Sequence, residues 1–402
     1  MNQTTADLRR EIYLLEREID RQAATLSANR SHLHNLQANL RERNSMFPIH
    51  ALPPEIIAEV FVHCLPEETS LANYSCAPFV LLRVCKAWKQ IAMSTAALWT
   101  NINILLSVYN EESPVQTLEC MAQRSSEMPL TVAIMDYATA AMEPFCRISL
   151  PYENITELVA DSYYTDELIR LLRDLPNLLV FRYTQRLGGT ARPTPASLVH
   201  RRLREVHLSE IYGVPVLQYL TLPSLETLVF NESMMDWEVL DDFLARSKPP
   251  LHRLAFHPGR KRTVTLPHAQ TWSWTPQLTE LELAYPSRGH LEVSCARLSS
   301  AASLPKLRIL VLRCRQSAPS SYRQDLQDEV GLSEVVECVL EMMGKRIDDG
   351  DPAHPFEIRV IAEDTDGVGL VSLSDAQKAE CRKIKSCGFN IWIGPEQRNM
   401  AA

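Results

Sequence analysis

Glycine is scarce, with 12 residues in a chain of 402. A loop that wraps a nucleotide's phosphates needs glycine where backbone must approach the ligand closely. None of the twelve falls in a Walker-type or dinucleotide-type pattern, and the Gly188-Gly189 pair sits in a Pro/Thr-rich stretch. His-Glu-x-x-His, Gly-x-Ser-x-Gly and the kinase signatures are missing too. Asp364-Thr-Asp366-Gly367 opens like a calcium loop but lacks the bidentate Glu, so a polar turn is expected. The ten cysteines include no CxxC pair, and Cys381 and Cys387 stand too far apart for zinc spacing. Catalytic residues, metal ligands and cofactors are all read as none. An enzyme is not expected.

Positive charge is not in excess either. The 41 Lys and Arg against 49 Asp and Glu leave a net charge of −8, whereas a general nucleic-acid binder carries a dominant basic patch. The basic cluster Gly259-Arg-Lys-Arg262 reads as a solvated loop. No run of 18 apolar residues occurs, and the start lacks a basic-then-apolar leader pattern. Thiols in this number suit a reducing compartment, and Cys85, Cys314 and Cys338 sit in apolar patterns that suit small buried hydrophobes. The expectation is a cytoplasmic chain, with entry to the nucleus open, and no membrane or nucleic-acid partner. His32 and His34 read as solvated, His200 and His207 as surface residues beside a strand, and Trp272 and Trp274 as packing residues.

What the chain does have begins with a heptad. Leu8, Ile12, Leu15, Ile19, Gln22, Leu26, Asn29, Leu33, Leu36 and Leu40 alternate spacings of four and three without a break. That is the rule for a helix seam. The residues between are rich in Arg, Glu, Gln and Asn, and at about 1.5 Å per residue the helix is on the order of 50 Å long. Residues 8–40 either pair with a second copy as a homodimer or lie back on their own chain. Pro48 ends this helix in the link Phe47-Pro48-Ile49-His50.

Next, Leu52-Pro53-Pro54-Glu55 reads as a helix start, because the first turn tolerates Pro. Ile56, Ile57, Val60 and Phe61 follow at helical spacing. A second helical stretch carries Leu81, Val84, Cys85, Trp88, Ile91 and Ala92. With Leu65-Pro66, Lys86 and Leu98-Trp99, this ordered set resembles the F-box, a small helical module. The segment between Pro66 and Phe79 is longer and more polar than the family's usual link. The resemblance implies docking to the Skp-type adaptor, and through it to cullin, by Leu52, Pro53, Ile56, Ile57, Val60, Val84, Cys85 and Trp88. For Ile57, Phe61 and Ile91, packing between the module's own helices is an equal reading.

From residue 101 the chain repeats. Asn101–Leu105 reads as a first strand. The pattern Leu-x-x-Leu-x-Leu, with other apolar residues allowed, then starts at Ile155, Leu178, Leu203, Leu225, Leu251, Leu278 and Leu307. Several copies are introduced by Pro: Leu175-Pro176, Leu222-Pro223, Pro249-Pro250, Pro276 and Leu304-Pro305. Starts lie 22 to 29 residues apart, a spacing that resembles the leucine-rich repeat, in which each strand-turn-helix unit covers its neighbour's apolar edge. The family's turn Asn or Cys is missing at Tyr163, Arg186, Ile211, Ser233, Gly259, Pro286 and Arg315, so the repeats are degenerate. An irregular α/β domain is the alternative. Helices are expected at 166–174, 236–245, 325–346 and 375–385, and strands at 356–360 and 389–393.

The fold class is therefore α/β: a long N-terminal helix (1–46), a small α-helical F-box (47–100), and a solenoid of short parallel strands and helices with a terminal cap (101–402). The function implied by the resemblance is substrate recognition for a cullin–RING ubiquitin ligase of the SCF type. Side chains between the core leucines would face an unknown protein substrate: Glu157, Arg182, Glu205, His207, Arg253, Glu280, Glu282 and Arg313, with Val159, Val229, Ala255 and Val311 making part of that face apolar. The alternative is a repeat scaffold that holds partners without delivering them to ubiquitin. The combination of parts also resembles the expanded F-box families of fungi.

Overall fold

A computed structural model describes residues 5–45, 52–66, 76–106, 113–136, 150–161, 165–185, 196–210, 216–231, 237–257, 275–284, 288–300, 304–315, 330–348, 356–363, 373–395 and 399–401. Phe47–His50, Gly188-Gly189, Gly259–Arg262, Trp272, Trp274 and Asp364–Gly367 lie outside them, as does most of the polar insert after Pro66. The chain forms two compact units, Met1–Leu65 with Ala77–Thr95, and Pro66–Cys76 with Ala96–Ala402.

The first unit opens with α1 (Thr5–Ser45), 41 residues without a break and so about 60 Å long. Its ordered heptads leave every apolar seam residue 44–62% exposed. In α2 (Pro54–His63) the start is set by Pro at the first helical position, and the Pro53 carbonyl accepts from both Ile56 N–H and Ile57 N–H. The second helical stretch is not continuous. A 3₁₀ turn at Val80–Arg83 gives way at Cys85, whose backbone is extended, and α3 (Lys86–Ser94) begins after it. The break has a local cause: Cys85 Sγ accepts the Trp88 N–H at 3.5 Å and so caps α3.

The second unit is a parallel sheet. Its strands are β1 (Asn101–Leu106), β2 (Leu130–Asp136), β3 (Ile155–Asp161), β4 (Val180–Gln185), β6 (Glu205–Glu210), β8 (Thr227–Asn231), β9 (Arg253–His257), β10 (Glu280–Ala284), β11 (Ile309–Arg315), β12 (Glu357–Glu363) and β13 (Asn390–Gly394). They lie side by side in chain order. The short strands β5 (Leu198–Val199) and β7 (Leu220–Thr221) pair separately. Helices α4 (Ser113–Arg124), α5 (Thr165–Arg173), α6 (Trp237–Ser247), α7 (Arg288–Leu298), α8 (Leu332–Asp348) and α9 (Asp375–Ser386) fall between strands.

One row of side chains runs the width of the sheet: Ile102, Val132, Leu158, Phe181, Val206, Leu228, Leu254, Leu281, Leu310, Ile358 and Ile391. All eleven have no solvent exposure. Each strand thus covers its neighbour, which is how stacked repeats share one core. The recurring Pro has a physical reason. Leu178, Leu225, Leu278 and Leu307 donate to the carbonyls of Leu175, Leu222, Thr275 and Leu304, closing four-residue turns with Pro176, Pro223, Pro276 and Pro305 at the second position, where proline's fixed φ fits. At Arg315, one of the seven positions lacking the turn residue, β11 simply continues, paired with Glu363.

Candidate functional site

In the first unit, α2 carries Ile56 and Val60 four residues apart, hence on one stripe, and Leu52 stands just before the helix start. With Val84 beyond the 3₁₀ turn, these aliphatics are 41–54% exposed. Pro53 is exposed beside them, and Cys85 and Trp88 are half-buried. Ile57 is turned inward at 4% exposure, and Phe61 is buried with its ring 4.8 Å from that of Trp88. Of the two readings for these positions, internal packing describes Ile57 and Phe61, while Ile91 is half-buried. Val80 and Met93 are exposed as well. The sequence pattern missed them because a continuous helix through Leu81–Ala92 assigns faces differently from a 3₁₀ turn followed by a capped helix. Trp88 Nε1 is buried with no acceptor among the described residues.

Residues 49–105 match the family described as F-box-like. The chain is an F-box domain-containing protein. F-box domains in general bind Skp-type adaptors and serve ubiquitin-ligase substrate recognition, and F-box proteins are typically non-catalytic. No curated protein matches the chain. Leu98 and Trp99, quoted above among the F-box positions, group with the second unit, where the Arg124 guanidinium lies 4.7 Å over the Trp99 ring.

The F-box protein's second unit places all eight expected substrate-facing residues on the sheet face opposite the apolar row. Register puts Glu157, Glu205, Arg253, Glu280 and Glu357 in one row, and Arg182, His207, Glu282 and Arg359 in the next. These charges pair with one another and fall into two groups. Arg182 bridges Glu157 and Glu205, and His207 Nε2 lies 2.7 Å from Glu205. Farther along, Glu282 receives Arg253 at 2.8 Å and Arg313 at 2.7 Å, while Arg313 also reaches Glu363 at 3.2 Å. Arg253 Nε stands 2.9 Å from Glu280 but off the hydrogen-bond direction. Val229 and Ala255 lie between the groups, Val311 lies between Glu282 and Arg359, and all three are buried.

Glu282 is only 3% exposed, so it organises the two arginines and is not itself a contact surface. The second group borders a recess of about 620 Å³, closed on its far side by Arg359, Ile361 and Trp392. The sequence reading missed Arg359 and Trp392. Their signal was the strand alternation at 357–363 and 390–394, which places them in line with Glu282.

His200 was expected at the surface and is buried. Leu203 N–H donates to its Nδ1 at 3.2 Å, and its Nε2 lies 2.9 Å from the Leu175 carbonyl. Burial lowers its pKa, and burial also lowers that of His207 against the opposing pull of Glu205. Among the described residues no group of three or more His, Cys, Asp or Glu could hold a metal ion, and no helix is long and apolar enough to cross a membrane.

Proposed function

We propose that this F-box protein is the substrate-recognition subunit of an SCF-type cullin–RING ubiquitin ligase. Its F-box docks on the Skp-type adaptor, and the charged face of its sheet, read as degenerate leucine-rich repeats, receives a protein substrate that this chain does not itself modify. The observation that carries the reading is the exposure of the aliphatics Leu52, Ile56 and Val60 on a matched F-box. Exposed apolar groups of this kind on a small unit mark a contact surface. For the substrate, Trp392 at the recess supplies the aromatic anchor that protein interfaces favour.

The test is a titration of the full chain with purified adaptor. Leu52→Ala combined with Pro53→Ala truncates exposed groups, so the fold should stay intact by circular dichroism. Losing a central anchor costs about 2 kcal/mol or more, roughly a 30-fold loss of affinity. Undiminished affinity would sink the adaptor assignment. Capture of adaptor without cullin would point to the scaffold reading instead.

A further inference from the structure

The seam of α1 is uncovered along its whole length. Its spacing assigns Ile12, Ile19, Leu26, Leu33 and Leu40 to one core position (a) and Leu8, Leu15, Gln22, Asn29 and Leu36 to the other (d). We propose that α1 pairs with α1 of a second copy, and that the two run antiparallel. In that orientation an a residue faces a d residue: Leu40 meets Leu8, Leu36 meets Ile12, and Leu33 meets Leu15, so both ends of the rod are wholly apolar.

The flanking charges choose the direction. Antiparallel pairing sets like flanks together, which brings Glu16 against Arg30 of the second copy, twice. Parallel pairing would instead set Glu11 against Glu16 of the second copy, twice, with no opposite-charge pair in exchange. Flanking charges of this kind set orientation in coiled coils. Parallel pairing would offer one compensation, stacking Gln22 on Gln22 and Asn29 on Asn29. The Gln22 amide, however, already donates to Glu18 of its own helix at 3.0 Å, so its gain from a partner amide is reduced. Asn29 facing Ile19 and Gln22 facing Leu26 are the weak layers of the antiparallel pair.

The consequence is spatial. The C-terminal ends of the two α1 helices stand at opposite ends of a rod about 60 Å long, instead of side by side. The pairing rests on α1 alone and holds whether or not the adaptor docks.

Sedimentation equilibrium of the full chain at low ionic strength tests it, because Glu16→Arg has opposite consequences in the two orientations. In the antiparallel pair it turns two attractions into repulsions and should weaken the dimer by roughly five- to tenfold. Arg30→Glu should do the same, and the two exchanges together should restore dimerisation to within about twofold of the parent, since the pairs reform with reversed sign. These differences should shrink in high salt. Tighter association of Glu16→Arg would establish the parallel arrangement and overturn the proposal. Indifference to either change, or a parent chain that stays monomeric at tens of micromolar, would overturn it as well.

Discussion

His200 engages both of its ring nitrogens, joining the turn before β4 to the turn before β6 through Leu175 and Leu203. The arrangement suits a neutral imidazole that donates to the carbonyl and accepts from the amide. Burial lowers its pKa from the ordinary 6.5, so the unfolded chain takes up a proton that the folded chain refuses. The stability contribution is therefore complete above about pH 6.5 and declines as pH falls through the window below it. Thermal midpoints measured from pH 7.5 to 5.5 should fall with acid. His200→Leu should lower stability at pH 7.5 by about 2 kcal/mol, since two buried backbone groups lose their partners, but with a flatter pH slope. An unchanged slope would remove His200 from the account, leaving His207, whose pKa is also lowered by burial. Nothing in the sequence around His200 marks it as buried, because its partners lie 25 residues upstream and in the following turn. Cys314 was easier to read. It follows Leu310 and Leu312 at every second position of β11 and is buried like them, and burial pushes its thiol up to about 12, as expected of a small hydrophobe.

The strand repeat was legible wherever the spacing between core residues held. Ile155, Leu178, Leu203, Leu225, Leu251, Leu278 and Leu307 each begin a copy and all are buried. β2 escaped because a register shift between Leu130 and Thr131 shortens the spacing to Leu130-x-Val132-x-Ile134, one residue off the template. The pairing of charges across strands was not legible at all. Arg253 and Glu282 are 29 residues apart, and only the register reveals that they meet. This changes how the face is to be probed. Reversing Glu282 would test folding more than docking, because its side chain is enclosed by two arginines. Glu282→Gln keeps the volume and removes the charge. Arg253 and Arg313 each retain a second carboxylate nearby, Glu280 and Glu363, so the cost should be about 2 kcal/mol, below the 3–5 kcal/mol of a buried pair broken outright. Adding Glu280→Gln deprives Arg253 of both carboxylates, and the double change should exceed the sum of the singles in urea unfolding. Strict additivity would mean the four groups act as separate pairs.

The division into two compact units predicts two separable stabilities. The first unit holds the F-box helices on a small core in which Phe61 meets Trp88, and the second is a single sheet whose core row crosses every main strand. The strands of the second unit were foreseeable in outline from the period of 22 to 29 residues. The grouping of Ala96–Trp99 with the sheet was not foreseeable, since it follows from Leu98 and Trp99 being buried in that unit. If the units are stabilised independently, core truncations should act locally. Phe61→Ala should cost the first unit about 3–5 kcal/mol, which a core of that size cannot absorb, and adaptor binding should be lost with it. Amide exchange in β8 to β11 should stay as slow as in the parent. Leu254→Ala, in the middle of the row, should cost about 2–5 kcal/mol and speed exchange in β8, β9 and β10, while the adaptor titration is unchanged. Each variant would then move one of two transitions. A single transition lowered by both, with faster exchange everywhere, would mean that the F-box and the sheet unfold as one body and that adaptor docking and the substrate face are energetically coupled.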